Sequence, residues 1–123
     1  MIITQTIPQA LADHYLASLK AFVETIQAAL ADSESAPQAT GLRRQILPLI
    51  EDRLRAAQVA LHHHAIGDQE PLIALALKSR YLARETDGYS FTFAGSELAT
   101  QYEDCRRMVV FSAWQICQSA GVV

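Results

Sequence analysis

At 123 residues the chain can enclose one hydrophobic core and is too short for several. Half of its residues are hydrophobic and 19% are charged, a globular balance that excludes a disordered tail or linker. A formal net charge of −3 excludes any whole-protein electrostatic pull towards nucleic acid or an anionic membrane.

The charge is unevenly spread. Of thirteen acids and ten bases, residues 1–41 hold Asp13, Glu24, Asp32 and Glu34 against Lys20 alone, which leaves nine of each for residues 42–123. The opening MIITQTIPQALADHY lacks a basic region followed by an apolar run, so no signal peptide is expected. The last apolar stretch, VVFSAWQICQSAGVV, is shorter than the ~20 residues of a membrane span and is interrupted by Ser112, Gln115, Gln118 and Ser119. A buried or partner-facing helix is expected there, with no membrane association. Cys105 and Cys117 lie twelve residues apart on that helix. This is roughly 18 Å along the axis, beyond the ~7 Å that a disulfide allows. Two reduced thiols fit a cytoplasmic protein.

Taken in chain order, the first helix opens at Thr6, with Gln9 as its capping-box partner and Pro8 in its first turn. Leu11, Tyr15, Leu19, Phe22, Ile26 and Leu30 form its apolar stripe, which Leu16 and Val23 widen. DSESAPQATG, residues 32–41, reads as a flexible loop. A second helix spans about Leu42 to Ile66, with Leu42, Ile46, Leu49, Ile50, Leu54, Ala57 and Leu61 as its stripe. Its charged residues, Arg43, Arg44, Glu51, Asp52, Arg53 and Arg55, fall mostly on the other faces. Pro48 marks a kink or a helix start. Gly67 is a C-terminal stop, and Asp68 caps the next helix. That third helix, about Pro71 to Tyr81, is apolar nearly all round in LIALAL and is expected to be buried.

The next stretch, YLARETDGYSFTFAGSELA, breaks the helical pattern. Asp87-Gly88 suits a type I′ turn, and Tyr89, Phe91 and Phe93 alternate with Ser90 and Thr92 as a half-buried strand would. The spacing predicts a small β-hairpin over about residues 81–93, with its first strand at Tyr81–Glu85. Gly95-Ser96 opens the last helix, whose stripe is Leu98, Tyr102, Cys105, Val109, Ser112 and Ile116. The expected fold is mainly α: a four-helix bundle-like single domain over residues 1–123, with the hairpin between helices three and four.

Few residue constellations promise chemistry. His62, His63 and His64 are consecutive, and neighbours on a helix stand ~100° apart, so the three cannot converge on one ion. They read as a solvated helix end, and no metal is expected. Asp13 and His14 are adjacent and do not face each other. Neither a nucleophile elbow nor a phosphate-binding glycine loop is present, so neither cofactor nor catalysis is expected.

Around Tyr81, Leu82, Gly88, Tyr89, Thr92, Gly95, Leu98 and Ala99 the chain resembles the end of a winged-helix DNA-binding domain, over about residues 76–99. That resemblance implies a transcription regulator with Lys78, Arg80 and Arg84 as phosphate contacts, and Arg43 and Arg44 as candidates beside them. Against it, LIALAL offers few polar groups to a groove, and Glu85 and Asp87 would repel phosphate. The competing expectation is a regulatory or adaptor protein that binds a protein partner through apolar helix faces, as a homodimer. Trp114 and Phe111 of the last helix read first as core residues, and are the candidate anchors where they stand exposed.

Overall fold

The apolar row of residues 11–30 becomes one helix, α1 (Gln9–Asp32), in a computed structural model that describes residues 5–32, 39–86 and 96–122. Tyr15, Leu19, Phe22, Val23, Ile26 and Leu30 are buried along it, and Leu11 and Leu16 are half-buried. The start differs from the capping box that Thr6 and Gln9 suggest. Thr6 is exposed, and the Pro8 carbonyl accepts from the N–H groups of Leu11 and Ala12 at 3.1 and 3.3 Å. The Gln9 side chain donates to Asp13 Oδ1 at 2.9 Å instead of turning back to the cap.

Both described ends of the loop expected at residues 32–41 are helical. Asp32 still belongs to α1, and α2 (Ala39–Gly41) is already helical; residues 33–38 lie outside the described residues. A π-helical segment (Leu42–Ile46) comes next, then α3 (Leu47–Ala65). Pro48 explains the change of register. It has no N–H with which to continue an α ladder, so the preceding turn widens and Leu47 N–H donates to Leu42 O, five residues back. The α-helix restarts with Pro48 in its first turn, where no donor is needed.

Gly67 stops α3 as expected. It adopts φ +92°, its N–H donates to His64 O at 3.1 Å, and Asp68 N–H donates to His63 O at 2.9 Å. This is a Schellman closure. Gly121 repeats it behind the last helix: φ is +75°, and Val122 N–H donates to Cys117 O at 2.9 Å.

α4 (Glu70–Ser79) buries Leu72, Ile73, Leu75, Ala76 and Ser79, in keeping with its apolar sequence. The expected first strand of the hairpin is instead a helical turn, α5 (Leu82–Glu85). Thr86 closes that turn, with its N–H and its Oγ1 both donating to Leu82 O, at 3.1 and 2.8 Å. The tight turn at Asp87-Gly88 and the second strand at Tyr89–Phe93 lie outside the described residues, among which no strand occurs.

α6 (Ser96–Ala120) carries its stripe inwards, with Tyr102, Val109, Ser112 and Ile116 buried. α1 packs along α6 and α3, and α4 bridges α3 and α6. At the α1–α6 contact the rings of Phe22 and Tyr102 meet edge to face, with centroids 5.3 Å apart. Residues 5–7 cross the end of the bundle. Gln69 holds them as a neighbouring strand would, with Oε1 accepting from Ile7 N–H at 3.0 Å and Nε2 donating to Gln5 O at 2.6 Å. The chain is therefore mainly helical and bundle-like.

Candidate interaction face

Two buried arginines, one on α3 and one on α6, hold α5 against the bundle. Arg53, on the core side of α3, donates through Nη2 to both Glu85 carboxylate oxygens at 3.0 and 3.1 Å. Its Nη1 lies 3.4 Å from Ser79 Oγ, which is 2.5 Å from the Tyr15 hydroxyl. Burial pushes the Tyr15 phenol up to about 12, against the opposing pull of Ser79 and Arg53. Arg106, on α6, donates to Thr86 Oγ1 at 2.9 Å, to Ala83 O at 2.5 Å and to both Glu103 oxygens at 2.7 Å. Tyr102 adds a bond to Thr86 O at 3.0 Å. Together these bonds anchor the four-residue helix α5 to the bundle.

Neither arginine is distinguishable as buried from charge alone. Their signal is positional. Arg53 stands three residues after Ile50 and four before Ala57, and Arg106 lies between Tyr102 and Val109 at similar steps, all four flanking residues being buried. A charged residue inside an apolar row marks a buried, paired group.

Outside this latch, Tyr81, Met108, Phe111 and Trp114 are exposed large hydrophobics, with Phe111 at 57% and Trp114 at 42% of full exposure. Phe111 and Trp114 are three apart, as are Met108 and Phe111, so the three succeed one another along the outer side of α6. The Arg80 guanidinium lies 4.5 Å from the centre of the Trp114 ring and 5.9 Å from that of Tyr81, and the Arg84 guanidinium lies 5.7 Å from the Tyr81 ring centre. Arg80 Nε is buried without a hydrogen-bond partner among the described residues. Arg107 and Phe111 form a ridge between two grooves. One, of about 370 Å³, is walled by Ala83, Val110 and Trp114. The other, of about 470 Å³, is walled by Asp104 and Met108.

The residues expected to contact phosphate stand on or beside α4, on α5 and on the π-helical segment. Lys78 borders a separate groove between α3 and α4, with Ala56, Val59 and Ala74. Arg80 and Arg84 lie against aromatic rings, and Arg43 and Arg44 are exposed on the π-helical segment. Of the histidines, His62 and His63 are exposed, whereas His64 is half-buried and its Nε2 donates to Ile7 O at 2.8 Å. His64 therefore ties down the N-terminal segment instead of ending in solvent. No group of three metal-ligating side chains is found among the described residues. Both cysteines are free thiols, and burial raises that of Cys117.

Compared with protein-family models, curated proteins and solved structures, the chain matches none. No helix among the described residues is long and apolar enough to cross a membrane.

Proposed function

We propose that this protein is a non-enzymatic regulatory or adaptor protein, cytoplasmic, that binds a protein partner through the outer face of α6, with Phe111 and Trp114 as anchors. The observation that carries this reading is the row of Tyr81, Met108, Phe111 and Trp114 left in solvent although the chain has a filled core. Grouped exposed aromatics of this kind mark binding surfaces, whereas single exposed apolar residues do not. Trp114 is also held in place by Arg80 before any partner arrives, which lowers the ordering cost of binding. The absence of a catalytic role draws support from the hydroxyls of Tyr15, Ser79 and Thr86, which are buried and engaged in bonds that hold helices together.

The winged-helix reading has less support. The helix that would enter a groove buries five of its residues, and the first wing strand is helical. Affinity capture from an extract of the native cells tests the proposal. The immobilised wild type should retain a protein, either another chain or its own untagged copy, and Phe111→Glu should lose it. Equal retention by both overturns the reading.

A further inference from the structure

We infer that the occupant of the α6 face is an acidic segment of a protein partner, one that sets an apolar side chain between carboxylates; this rests on the reading of that face as a protein-binding surface. The groove of about 370 Å³ has Ala83, Val110, Phe111 and Trp114 in its wall and receives the apolar side chain. Two arginines and one acid complete that wall. Both oxygens of the acid, Glu103, accept from Arg106 at 2.7 Å, and Arg106 donates also to Thr86 Oγ1 and Ala83 O. Arg107 is left over. It is exposed and makes no ion pair with a described residue.

The Trp114 end of the groove has the same character. Arg80 lies over the indole, and the Arg80 and Arg84 guanidinium groups stand 5.9 and 5.7 Å from the centre of one Tyr81 ring. Neither makes an ion pair with a described residue, and the acid beside them, Glu85, has both oxygens on Arg53. Arg107 and Trp114 are seven residues apart, roughly 10 Å along the axis of α6, so uncompensated cations border the groove at both ends. They do so in a chain whose net charge is −3. An occupant of the groove covers Arg107, and a cation covered without a counter-charge loses its hydration with nothing in return. The wall has no free carboxylate to offer, so the partner brings its own. A phosphate backbone suits the face less well. Exposed Asp104 stands in the wall of the adjoining groove, and the charge of the whole chain opposes a polyanion.

Selection of a random peptide library, displayed on phage, against the immobilised full chain tests this. The wild type should enrich sequences in which Asp or Glu flanks Leu or Phe. Labelled synthetic copies of the enriched peptides are then titrated by fluorescence anisotropy. Arg84→Glu and Arg107→Glu should each weaken their binding by about tenfold at low ionic strength. Arg84→Lys and Arg107→Lys keep the charge and should stay within about threefold of the wild type. Both side chains are exposed, so the melting temperature should not move. Enriched sequences that are basic or uncharged overturn the acidic partner, as do acidic peptides indifferent to Arg84→Glu and Arg107→Glu. Tighter binding of single-stranded oligothymidylate than of every enriched peptide overturns it in favour of nucleic acid. In the first two cases, loss of the enriched peptides by Phe111→Glu would leave the face itself standing. If no peptide enriched on the wild type depends on Phe111, both readings fall.

Discussion

Arg80 lies 4.5 Å over the ring of Trp114, and its buried Nε meets no hydrogen-bond partner among the described residues. The Trp114 ring and, at 5.9 Å, the Tyr81 ring lie against this guanidinium. A cation held over an indole contributes from about 0.5 to about 2 kcal/mol, more as water is excluded. Arg80→Ala should cost about 1 kcal/mol in urea unfolding, at the middle of that range, and free the ring. Trp114 is the only tryptophan, so its emission should shift to the red and its quenching by acrylamide should increase. Arg80→Lys should recover part of both changes, because the ammonium keeps the charge and loses the planar stack. Unchanged emission in Arg80→Ala would mean that Trp114 is positioned without Arg80.

The buried Tyr15 gives a pH dependence with a definite sign. Its folded value, about 12, stands above the ordinary 10.0 that the unfolded chain keeps. The unfolded state therefore loses this proton first as pH rises. Stability associated with the group is complete below pH ~10 and is lost as pH climbs towards ~12, to an extent on the order of 2–3 kcal/mol. Unfolding measured across that window should show a shallower loss for Tyr15→Phe than for the wild type. Parallel curves would show that Tyr15 is not in the environment described.

Tyr15→Phe has a second effect at neutral pH. It removes one of two hydrogen bonds of the buried Ser79 hydroxyl, the one at 2.5 Å to the phenol oxygen, and leaves Arg53 Nη1 at 3.4 Å. The loss of one buried hydrogen bond costs about 0.5–1.5 kcal/mol. The variant should therefore be less stable than the wild type by that amount in denaturant titrations near pH 7, and a variant of wild-type stability would contradict the hydrogen bond.

Much of the architecture is legible in the sequence, and the parts that are not have specific causes. The stripe from Tyr15 to Leu30 repeats at three and four residues along α1, and local periodicity of that length sets a helix by itself. Gly67 is legible because a positive φ selects glycine. Residues 81–85 mislead because alternating and helical readings compete in so short a stretch, and here contacts from α6 decide between them. Arg106, twenty residues along the chain, binds Thr86 and secures the helical turn. Of the candidate face, Phe111 and Trp114 stand off the buried row of Val109, Ser112 and Ile116, so their outward position is readable. Arg53 and Arg106 are legible as buried only from their place in the apolar rows, because Glu85 and Thr86, which they bind, lie 32 and 20 residues away.

Gly67 provides a test of the backbone alone. A Cβ built there meets nothing within 4 Å, so the cost of a side chain comes from φ +92° and not from crowding. Gly67→Ala should destabilise the protein by about 1–2 kcal/mol, the scale of an L-residue forced into the left-handed region. Gly67→Asn should cost less, since asparagine enters that region more readily. Equal stability of all three forms would contradict the Schellman closure of α3.

The most direct measurement of the α6 face as a binding surface is hydroxyl-radical footprinting of Met108, Phe111 and Trp114. It should compare dilute pure protein, concentrated pure protein and an extract of the native cells. Ile66, the most exposed large hydrophobic among the described residues at 80%, serves as the internal reference. The three α6 residues should be reactive in dilute solution and protected, relative to Ile66, in at least one of the other two conditions. Equal reactivity of Met108, Phe111 and Trp114 in all three would contradict the proposed role of this face.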